Sequence, residues 1–285
     1  MSLDEHWFSE ASEADGMAFS LRITDKLHDE HTDYQHIQIY QTAHWGRLMV
    51  IDGCIMLTSR DNFLYHEMMS HPALFTHDAP GDVLIIGGGD CGTLREILRH
   101  DSVQHAVQVD IDAGVTRAAE RFFPELTEAN DDPRAELRFE DGVSYIDSVA
   151  DASFDVVIID STDPVGIAEG LFGAPFLRAV HRTLRPGGVL IQQSESPLLH
   201  HDSIIRELHT ALDDAGFGSR ATLPFPVPSY PSGWWSCTLA GRERDVHQFR
   251  EMDARAADFV TQYYTAGVHN GALQPPAFCR PVFND

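Results

Sequence analysis

The chain has 285 residues, a length that suits one large domain with its own core and a smaller appended unit. Its 20 basic and 44 acidic side chains give a formal net charge of −24, which argues against a nucleic acid partner because phosphate contacts need a basic surface. The same charge suits a cationic ligand, although much of it can simply serve solubility. The 4 cysteines lie far apart without a Cys-x-x-Cys pair, which indicates reduced thiols rather than zinc ligands or a disulfide framework.

The beginning of the chain is acidic and lacks an apolar signal core. No apolar run approaches the length of a membrane-crossing helix. We therefore expect a cytoplasmic protein with neither a membrane nor a nucleic acid as its partner.

The first eighty or so residues favour β structure. Residues 34–41 alternate polar and apolar side chains, as a half-buried strand does. Two short apolar runs follow at 48–51 and 55–57, and the Asp52-Gly53 pair between them is a strong hairpin signal. Together with a helical pattern over 62–75, they predict an N-terminal β-hairpin domain with a connecting helix over residues 1–79.

After Pro80-Gly81 the pattern changes to strands and helices in turn, which is typical of a doubly wound, mostly parallel sheet. The expected strands are 83–86, 106–109, 136–139, 156–159 and 188–192. The expected helices between them are 92–99, 113–123, 143–149 and 175–184. A proline-rich loop is expected over 224–233, followed after residue 242 by a helical and then irregular tail. We predict an α/β fold whose Rossmann-like domain spans residues 80–285.

Acids and glycines follow the predicted strands where each strand ends. Gly87-Gly88-Gly89-Asp90 closes the first strand, and such a turn brings a ligand to a helix N-terminus. Asp110 ends the second strand, at the spacing at which an acid binds ribose hydroxyls. The acids after the third and fourth strands are Asp141, Asp160 and Asp163. Any one of them can be a loop or helix-cap aspartate, but together they would line one edge of one sheet, where ligands bind in such folds.

The acids favour a cationic ligand over a dinucleotide. Asp90 stands in the glycine turn, where its charge would repel a pyrophosphate. An adenosine that carries a positive charge fits better, and the decarboxylated form of S-adenosylmethionine fits better than the intact molecule, whose carboxylate the acids would repel. Asp160 and Asp163 can hold a cation, bind a metal or accept a proton, and the absence of an accompanying histidine disfavours the metal.

Seven short segments resemble the polyamine aminopropyltransferases, the family of the spermidine synthases. The segments are Gly46-Arg47, Ile51-Asp52-Gly53, Tyr65-His66-Glu67-Met68, Gly87-Gly88-Gly89-Asp90, Asp131-Asp132-Pro133-Arg134, Asp160-Ser161-Thr162-Asp163-Pro164 and Tyr230-Pro231-Ser232-Gly233. The resemblance covers nearly the whole chain, and it implies a methyltransferase-type Rossmann-like sheet behind a small N-terminal β domain. It also implies an enzyme of polyamine biosynthesis that moves an aminopropyl group from decarboxylated S-adenosylmethionine, a co-substrate, to a diamine. The expected diamine is putrescine, which would give spermidine and release methylthioadenosine.

The resemblance implies a role for each matching residue. The residues implied to bind the donor are Gln35, Asp90, Asp110, Asp141 and Gly142. The residues implied to bind the polyamine are Tyr65, His66, Asp90, Asp160, Asp163 and Tyr230. Asp160 is the implied catalytic proton acceptor, and neither a metal ligand nor a bound cofactor is implied. Because similar proteins are usually dimers, we expect a homodimer or a higher homo-oligomer.

The chemistry of an amine acceptor agrees with the role implied for Asp160. A primary amine has a pKa of about 10.4, so near neutrality it is protonated and cannot attack. A carboxylate that accepts its proton frees the lone pair to attack the carbon next to the sulfonium. Other interpretations remain: a methyltransferase on the same fold, a transferase with another polyamine acceptor, and a non-catalytic polyamine-binding protein.

Five positions depart from the family pattern. Met56 stands where the family usually has glutamine, and Ser59 and Asn62 stand where it has glutamate. Cys91 replaces a usual glycine, and Ile167 replaces a proline that often touches the adenine. The identity of the acceptor amine is therefore left open by the sequence, and Cys91 is expected to pack at the start of a helix.

Overall fold

The computed structural model describes residues 3–162 and 170–283, which form two β-sheets and the helices around them. The predictions that concern Asp163 and Ile167 lie outside the described residues. The division of the chain at residues 79 and 80 stays a prediction.

The N-terminal sheet is antiparallel, with its five strands in chain order. The strands are β1 (Trp7–Ser12), β2 (Met17–His31), β3 (His36–Thr42), β4 (Arg47–Ile51) and β5 (Cys54–Thr58). The structure confirms β3 to β5 as predicted. Strands β1 and β2 were not predicted from the sequence. Charged residues interrupt the apolar alternation of the long strand β2, and most of its C-terminal half is exposed.

Strand β4 is buried on both faces, which explains its continuous apolar run. Met49 and Ile51 belong to a core that is shared with a helix of the second sheet, α3 (Ala113–Phe122). Leu48 and Val50 point to the opposite face and pack with Leu21 and Tyr40. The N-terminal sheet is thus packed directly against the larger α/β unit.

The second sheet has seven strands among the described residues, in the order β11-β12-β10-β9-β6-β7-β8. Its strands are β6 (Asp82–Gly87), β7 (His105–Asp110), β8 (Ala135–Phe139), β9 (Phe154–Asp160), β10 (Leu184–Gln193), β11 (Ser219–Pro226) and β12 (Trp234–Gly241). The five predicted strands are all confirmed, and they run parallel to one another. Strand β12 runs antiparallel to both of its neighbours, β10 and β11.

The prediction of a loop over 224–233 was partly wrong, because Pro224 and Pro226 lie in β11. Strand β11 lies at one edge of the sheet among the described residues, and an edge strand tolerates proline because one side of it has no neighbour that needs its N–H groups. The loop itself covers the residues between β11 and β12, including Tyr230.

Helices cover both faces of the second sheet. They are α1 (Asn62–Thr76), α2 (Gly92–Leu98), α3, α4 (Gly142–Ser148), α5 (Ala174–Thr183), α6 (Pro197–His200) and α7 (Ile204–Ala215). The four helices that the sequence predicts between the parallel strands are confirmed as α2 to α5. No helix among the described residues combines the length and the apolar character that crossing a membrane requires.

The C-terminal tail contains three short helices, α8 (Glu251–Ala256), α9 (Ala266–Ala272) and α10 (Arg280–Phe283). Glu67 of α1 holds this tail: its carboxylate accepts the backbone N–H groups of Gln262, Tyr263 and Tyr264 at 2.7, 2.9 and 2.7 Å. Charge-assisted bonds of this kind are stronger than neutral ones. These bonds attach the helix that carries Tyr65 and His66 to the C-terminal tail.

Candidate active site

A cavity opens at the carboxyl ends of β6, β7 and β9, where the strand order of the second sheet reverses. It encloses about 960 Å³, including the part that is open to solvent. The N-terminal sheet forms one wall with Gln35, Met49, Ile51 and Met56. The residues predicted from sequence that line it are Gln35, Tyr65, Asp90, Asp110, Asp141, Gly142, Asp160 and Tyr230.

The glycine turn after β6 lies against the end of β9. Gly87 has φ +85°, and a Cβ there would collide with the carbonyl oxygen of Asp160. The N–H of Gly88 donates to that same oxygen at 2.8 Å. Only glycine allows this close approach, so the turn and Asp160 occupy fixed positions relative to each other.

Cys91 completes the turn in a left-handed conformation, with φ +68°. This geometry explains why glycine is usual at the position, because a Cβ in this region is strained. The Cys91 side chain is fully buried, and its Sγ accepts from Nε2 of Gln108 at 3.5 Å. Burial raises the pKa of the thiol to about 12, so the side chain is an unreactive packing group, as expected.

Asp160 sits at the end of β9 with only 9 % of its surface exposed. The Tyr65 hydroxyl donates to Oδ1 at 2.7 Å, and the Thr93 hydroxyl donates to Oδ2 at 2.6 Å. Burial and then the charge of Asp90 raise the pKa of Asp160, and the two hydroxyls oppose that shift only in part. Asp160 is therefore a stronger base than an ordinary carboxylate.

The pKa of Asp90 is shifted in the opposite direction from that of Asp160. Burial would raise its pKa, but the nearby His66 and the Gly92 N–H, which donates to Oδ1 at 2.7 Å, lower it overall. His66 lies 3.3 Å from the carboxylate, and its pKa is raised by Asp90 in spite of burial. Two neighbouring acids whose pKa values are pushed apart are typical of a site in which one stays charged while the other handles a proton.

His66 lies behind Asp90, and it does not line the main cavity. Its side chain borders a small adjoining space with Asn62 and Tyr230, and its ring packs against Gly92, where a Cβ would collide with it. Its Nδ1 has no hydrogen-bond partner among residues 3–162 and 170–283. The charged group that His66 contacts is therefore the Asp90 carboxylate.

Asp110 ends β7 and faces the same cavity. Burial raises its pKa to about 6, and the Asp112 N–H donates to its Oδ1 at 2.8 Å. Asp112, which was not predicted from the sequence, caps α3 and accepts the Thr32 hydroxyl at 2.6 Å. Thr32 in turn accepts the N–H of Gln35 at 2.9 Å, so one short network positions both Asp110 and Gln35.

Asp141 is the N-cap of α4, because its Oδ1 accepts the Ser144 N–H at 2.7 Å. The helix-cap role and the position on the cavity wall coexist in this residue. Gly142 follows it, and a Cβ there would press on Ile86 of β6. The turn after β8 therefore reaches the cavity because it carries glycine.

A second cavity adjoins the first, and the two share Met56, Tyr65, Ser161, Thr162 and Tyr230. Its remaining lining residues are Glu10, Cys54, Ile55, Gln193, Pro231 and Trp235. The Tyr230 hydroxyl donates to the Met56 carbonyl at 2.5 Å. Ser59, by contrast, is exposed and accepts the Arg47 N–H at 3.1 Å, outside both cavities.

Two groups at this site were not predicted from the sequence. Thr93 is the second hydroxyl on Asp160, and Glu10 brings an acid from β1 into the second cavity. Glu10 reaches the cavity through the position of β1 in the N-terminal sheet, and Thr93 follows the glycine turn by three residues in the first turn of α2.

A Rossmann-like sheet with acids at its switch point defines a class of enzymes that bind nucleoside-containing ligands at this edge. Comparison with known proteins identifies the family. The family described as "Spermine/spermidine synthase domain" matches residues 62–250, and "Spermidine synthase tetramerisation domain" matches residues 6–59.

Curated relatives and solved structures agree with the two family matches. The chain is 61 % identical to the polyamine aminopropyltransferase of Alkalilimnicola ehrlichii over 100 % of both chains. It is 58 % identical to that of Halorhodospira halophila, over 95 % of this chain and 98 % of the relative. A crystal structure of spermidine synthase in complex with the transition-state analogue AdoDATO matches with TM-score 0.94 and 31 % identity, over 100 % of this chain and 97 % of the other. Spermidine synthase from Thermotoga maritima matches with TM-score 0.92 and 32 % identity, over 99 % and 95 %.

The chain belongs to the spermine/spermidine synthase family, and it is an aminopropyltransferase.

Proposed function

We propose that the enzyme transfers the aminopropyl group of decarboxylated S-adenosylmethionine to putrescine, with release of spermidine and methylthioadenosine. The observation that carries the proposal is the placement of two acids, Asp90 and Asp160, in the cavity at the switch point of the sheet. Their surroundings lower the pKa of Asp90 and raise that of Asp160. One acid is suited to hold an ammonium and the other to take a proton.

The donor fits the first cavity. Asp110 faces the space beyond β7, where a carboxylate can accept both ribose hydroxyls, while Ile51 and Val109 supply apolar walls for a base. Asp90 stays charged beside the glycine turn and would bind the aminopropyl ammonium. An intact amino acid carboxylate would meet this negative charge, which favours the decarboxylated donor.

The acceptor fits the second cavity, which begins at Tyr65 and Tyr230 and extends to Glu10. The rings of Tyr65 and Tyr230 lie 5.8 Å apart and present aromatic surfaces to an alkyl chain and to a cationic amine. Glu10 can hold the distal ammonium while the near amine points toward Asp160. Asp163 and His66, the other residues expected at the polyamine, remain part of this proposal.

The chemical step is a displacement at carbon. The amine gives a proton to Asp160, its nitrogen forms a bond to the aminopropyl carbon, and the bond between that carbon and the sulfonium breaks. Methylthioadenosine leaves as a neutral thioether, so the leaving group needs no proton. Positioning of the two substrates supplies much of the rate enhancement, since a carboxylate is a weak base toward an ammonium.

The alternative is a different polyamine acceptor for the same transfer. Met56 lines both cavities at their junction and carries no polar group for an amine, which distinguishes this site from the family pattern. The match to a tetramerisation domain supports a homo-oligomer as the working form.

The test is an assay of methylthioadenosine release with decarboxylated S-adenosylmethionine and a panel of amines: 1,3-diaminopropane, putrescine, cadaverine and spermidine. We expect the largest kcat/KM with putrescine and no methyl transfer from intact S-adenosylmethionine. Preference for another amine would replace the acceptor, and a lack of product with every amine would refute the assignment of the donor.

A further inference from the structure

The end of the β2–β3 hairpin carries a cluster of two histidines and an acid. One side-chain donor atom from each of Asp29, His31 and His36 lies within 4.8 Å of the other two. Within residues 3–162 and 170–283 this is the single group of three histidine, cysteine or acidic side chains with such close donor atoms. It lies on the N-terminal sheet, outside both cavities of the active site.

Strand register, rather than linear spacing, builds the cluster. His31 pairs directly with His36 across the two strands, and their rings stack with centroids 3.8 Å apart. Asp29 lies two residues before His31, so its side chain emerges on the same face. The turn is closed by the Thr32 N–H, which donates to the Gln35 carbonyl at 2.9 Å, so the backbone that presents these side chains is fixed.

The donor set is chemically suited to a transition metal. Imidazole nitrogen is a preferred ligand of zinc, copper and nickel, and a carboxylate adds a negative charge. Nε2 of His36 already lies 2.7 Å from Oδ1 of Asp29, so a cation between them would replace a hydrogen bond between the same two atoms. The Asp29 carboxylate is 41 % exposed, which gives an ion access from solvent.

Two groups beside the cluster modulate it. Lys26 forms an ion pair with the other carboxylate oxygen of Asp29, and its ammonium competes with a bound cation. The Gln38 amide nitrogen lies 3.4 Å from that oxygen, and a flip of this amide would turn a further oxygen donor toward the cluster.

We propose that Asp29, His31 and His36 form a surface site for one divalent ion of the zinc, nickel or copper class. Rotation of the three side chains, which unstacks the two imidazole rings, brings the donors to metal-bond distances of about 2.0–2.2 Å, with water completing the coordination. The ion joins β2 to β3 next to the turn that carries Gln35, so the site braces a wall of the donor cavity from outside.

The experiment is a calorimetric titration of zinc chloride into the full chain, prepared metal-free and without a histidine tag. We expect one equivalent of zinc to bind with a Kd in the micromolar range. The His31→Gln and His36→Gln variants should weaken binding at least tenfold. Lys26→Gln should tighten it about threefold, because a competing positive charge is removed.

His28→Gln is the matched control. His28 lies on the same strand, but it bonds Glu30 at 3.0 Å and packs on Phe122, away from the cluster. Its substitution should leave the zinc Kd unchanged. In a second measurement, electron paramagnetic resonance of bound copper(II) should show coupling to two imidazole nitrogens in the native chain and to one in His31→Gln. The proposal would be overturned if the native chain bound no zinc with a Kd below 100 μM. It would also be overturned if His31→Gln and His36→Gln bound zinc with the same Kd as the native chain.

Discussion

The hydroxyl of Tyr65 donates a 2.7 Å hydrogen bond to Oδ1 of Asp160, across 95 residues of chain. The bond joins α1 to the end of β9 and stabilises the ionised form of an acid whose pKa is raised by burial. Burial raises the pKa of Tyr65 itself well above its usual value, so the phenol stays protonated and remains a donor. The protonation of Asp160, the proposed base at the end of β9, therefore depends on Tyr65 in α1.

Replacement of Asp160 by asparagine should abolish turnover while donor binding is retained. The amide of an asparagine cannot accept the proton, and loss of general-base catalysis costs a factor of about 10²–10⁴ in kcat. Methylthioadenosine release gives kcat, and calorimetry with the donor gives its Kd. A variant with native kcat would remove Asp160 from the role of base.

The Tyr65→Phe variant should move the acid limb of the kcat/KM profile to higher pH. The hydroxyl lowers the pKa of Asp160, so its removal lets burial and Asp90 raise that pKa further, and the active carboxylate form is lost at a higher pH. The lost hydrogen bond to a charged group should also reduce kcat about tenfold or more. Tyr230→Phe is the control: it removes a hydroxyl that bonds the Met56 carbonyl, and its acid limb should stay in place.

Asp110→Asn should make the free protein more stable and the enzyme a poorer binder of its donor. The folded-state pKa of about 6 lies above the usual 3.8, so ionisation of Asp110 opposes folding above that pH. The cost disappears as pH falls below the unfolded value, so the variant should gain about 2 kcal/mol at pH 7.5 and little at pH 4. Urea unfolding at both pH values measures the gain. The donor Kd should rise about tenfold, since the charge toward the ribose is lost.

Glu10→Gln should raise the KM of the acceptor about tenfold and leave the donor KM unchanged. Glutamine keeps an oxygen for the Ile55 N–H, which Glu10 accepts at 2.7 Å, so the substitution removes charge while the local hydrogen bond is preserved. Steady-state kinetics with each substrate varied in turn separates the two constants. An equal rise in both would place Glu10 in a structural role.

The free energy of unfolding of the Cys91→Gly variant should exceed that of Cys91→Ala by about 1 kcal/mol. Both substitutions remove the buried sulfur, but only glycine relieves the strain of the positive φ. Urea unfolding of Cys91→Gly and Cys91→Ala provides the comparison, and equal stabilities would show that the turn relaxes around alanine.

The parallel core of the fold could be predicted from sequence because each buried strand is a continuous apolar run, such as 156–159, that ends in a turn or an acid. Strands β1 and β2 could not, since their stability comes from pairing in the N-terminal sheet and not from local alternation. Pro224 was wrongly predicted to lie in a loop, because the sequence does not show that β11 is an edge strand, where proline is tolerated.

The acids of the candidate site could be located for a similar reason, since each follows a strand and the carboxyl ends of parallel strands share one edge. The contacts that tune those acids could not. Thr93 reaches Asp160 from the first turn of α2, and His66 supports Asp90 from α1, so both depend on how helices pack. The role of His66 at the polyamine, which the resemblance implies, stays a prediction, and its ion-pair partner is Asp90.

The approach of Gly87 and Gly88 to the Asp160 carbonyl has a further consequence. The glycine turn beside which the donor would bind and the residue that would receive the proton are held together by backbone contacts that form when the chain folds. A preorganised site does not have to rearrange at each turnover, because its groups are already in position once the chain has folded. A side chain as small as a methyl group at position 87 would separate the base from the donor without touching either substrate.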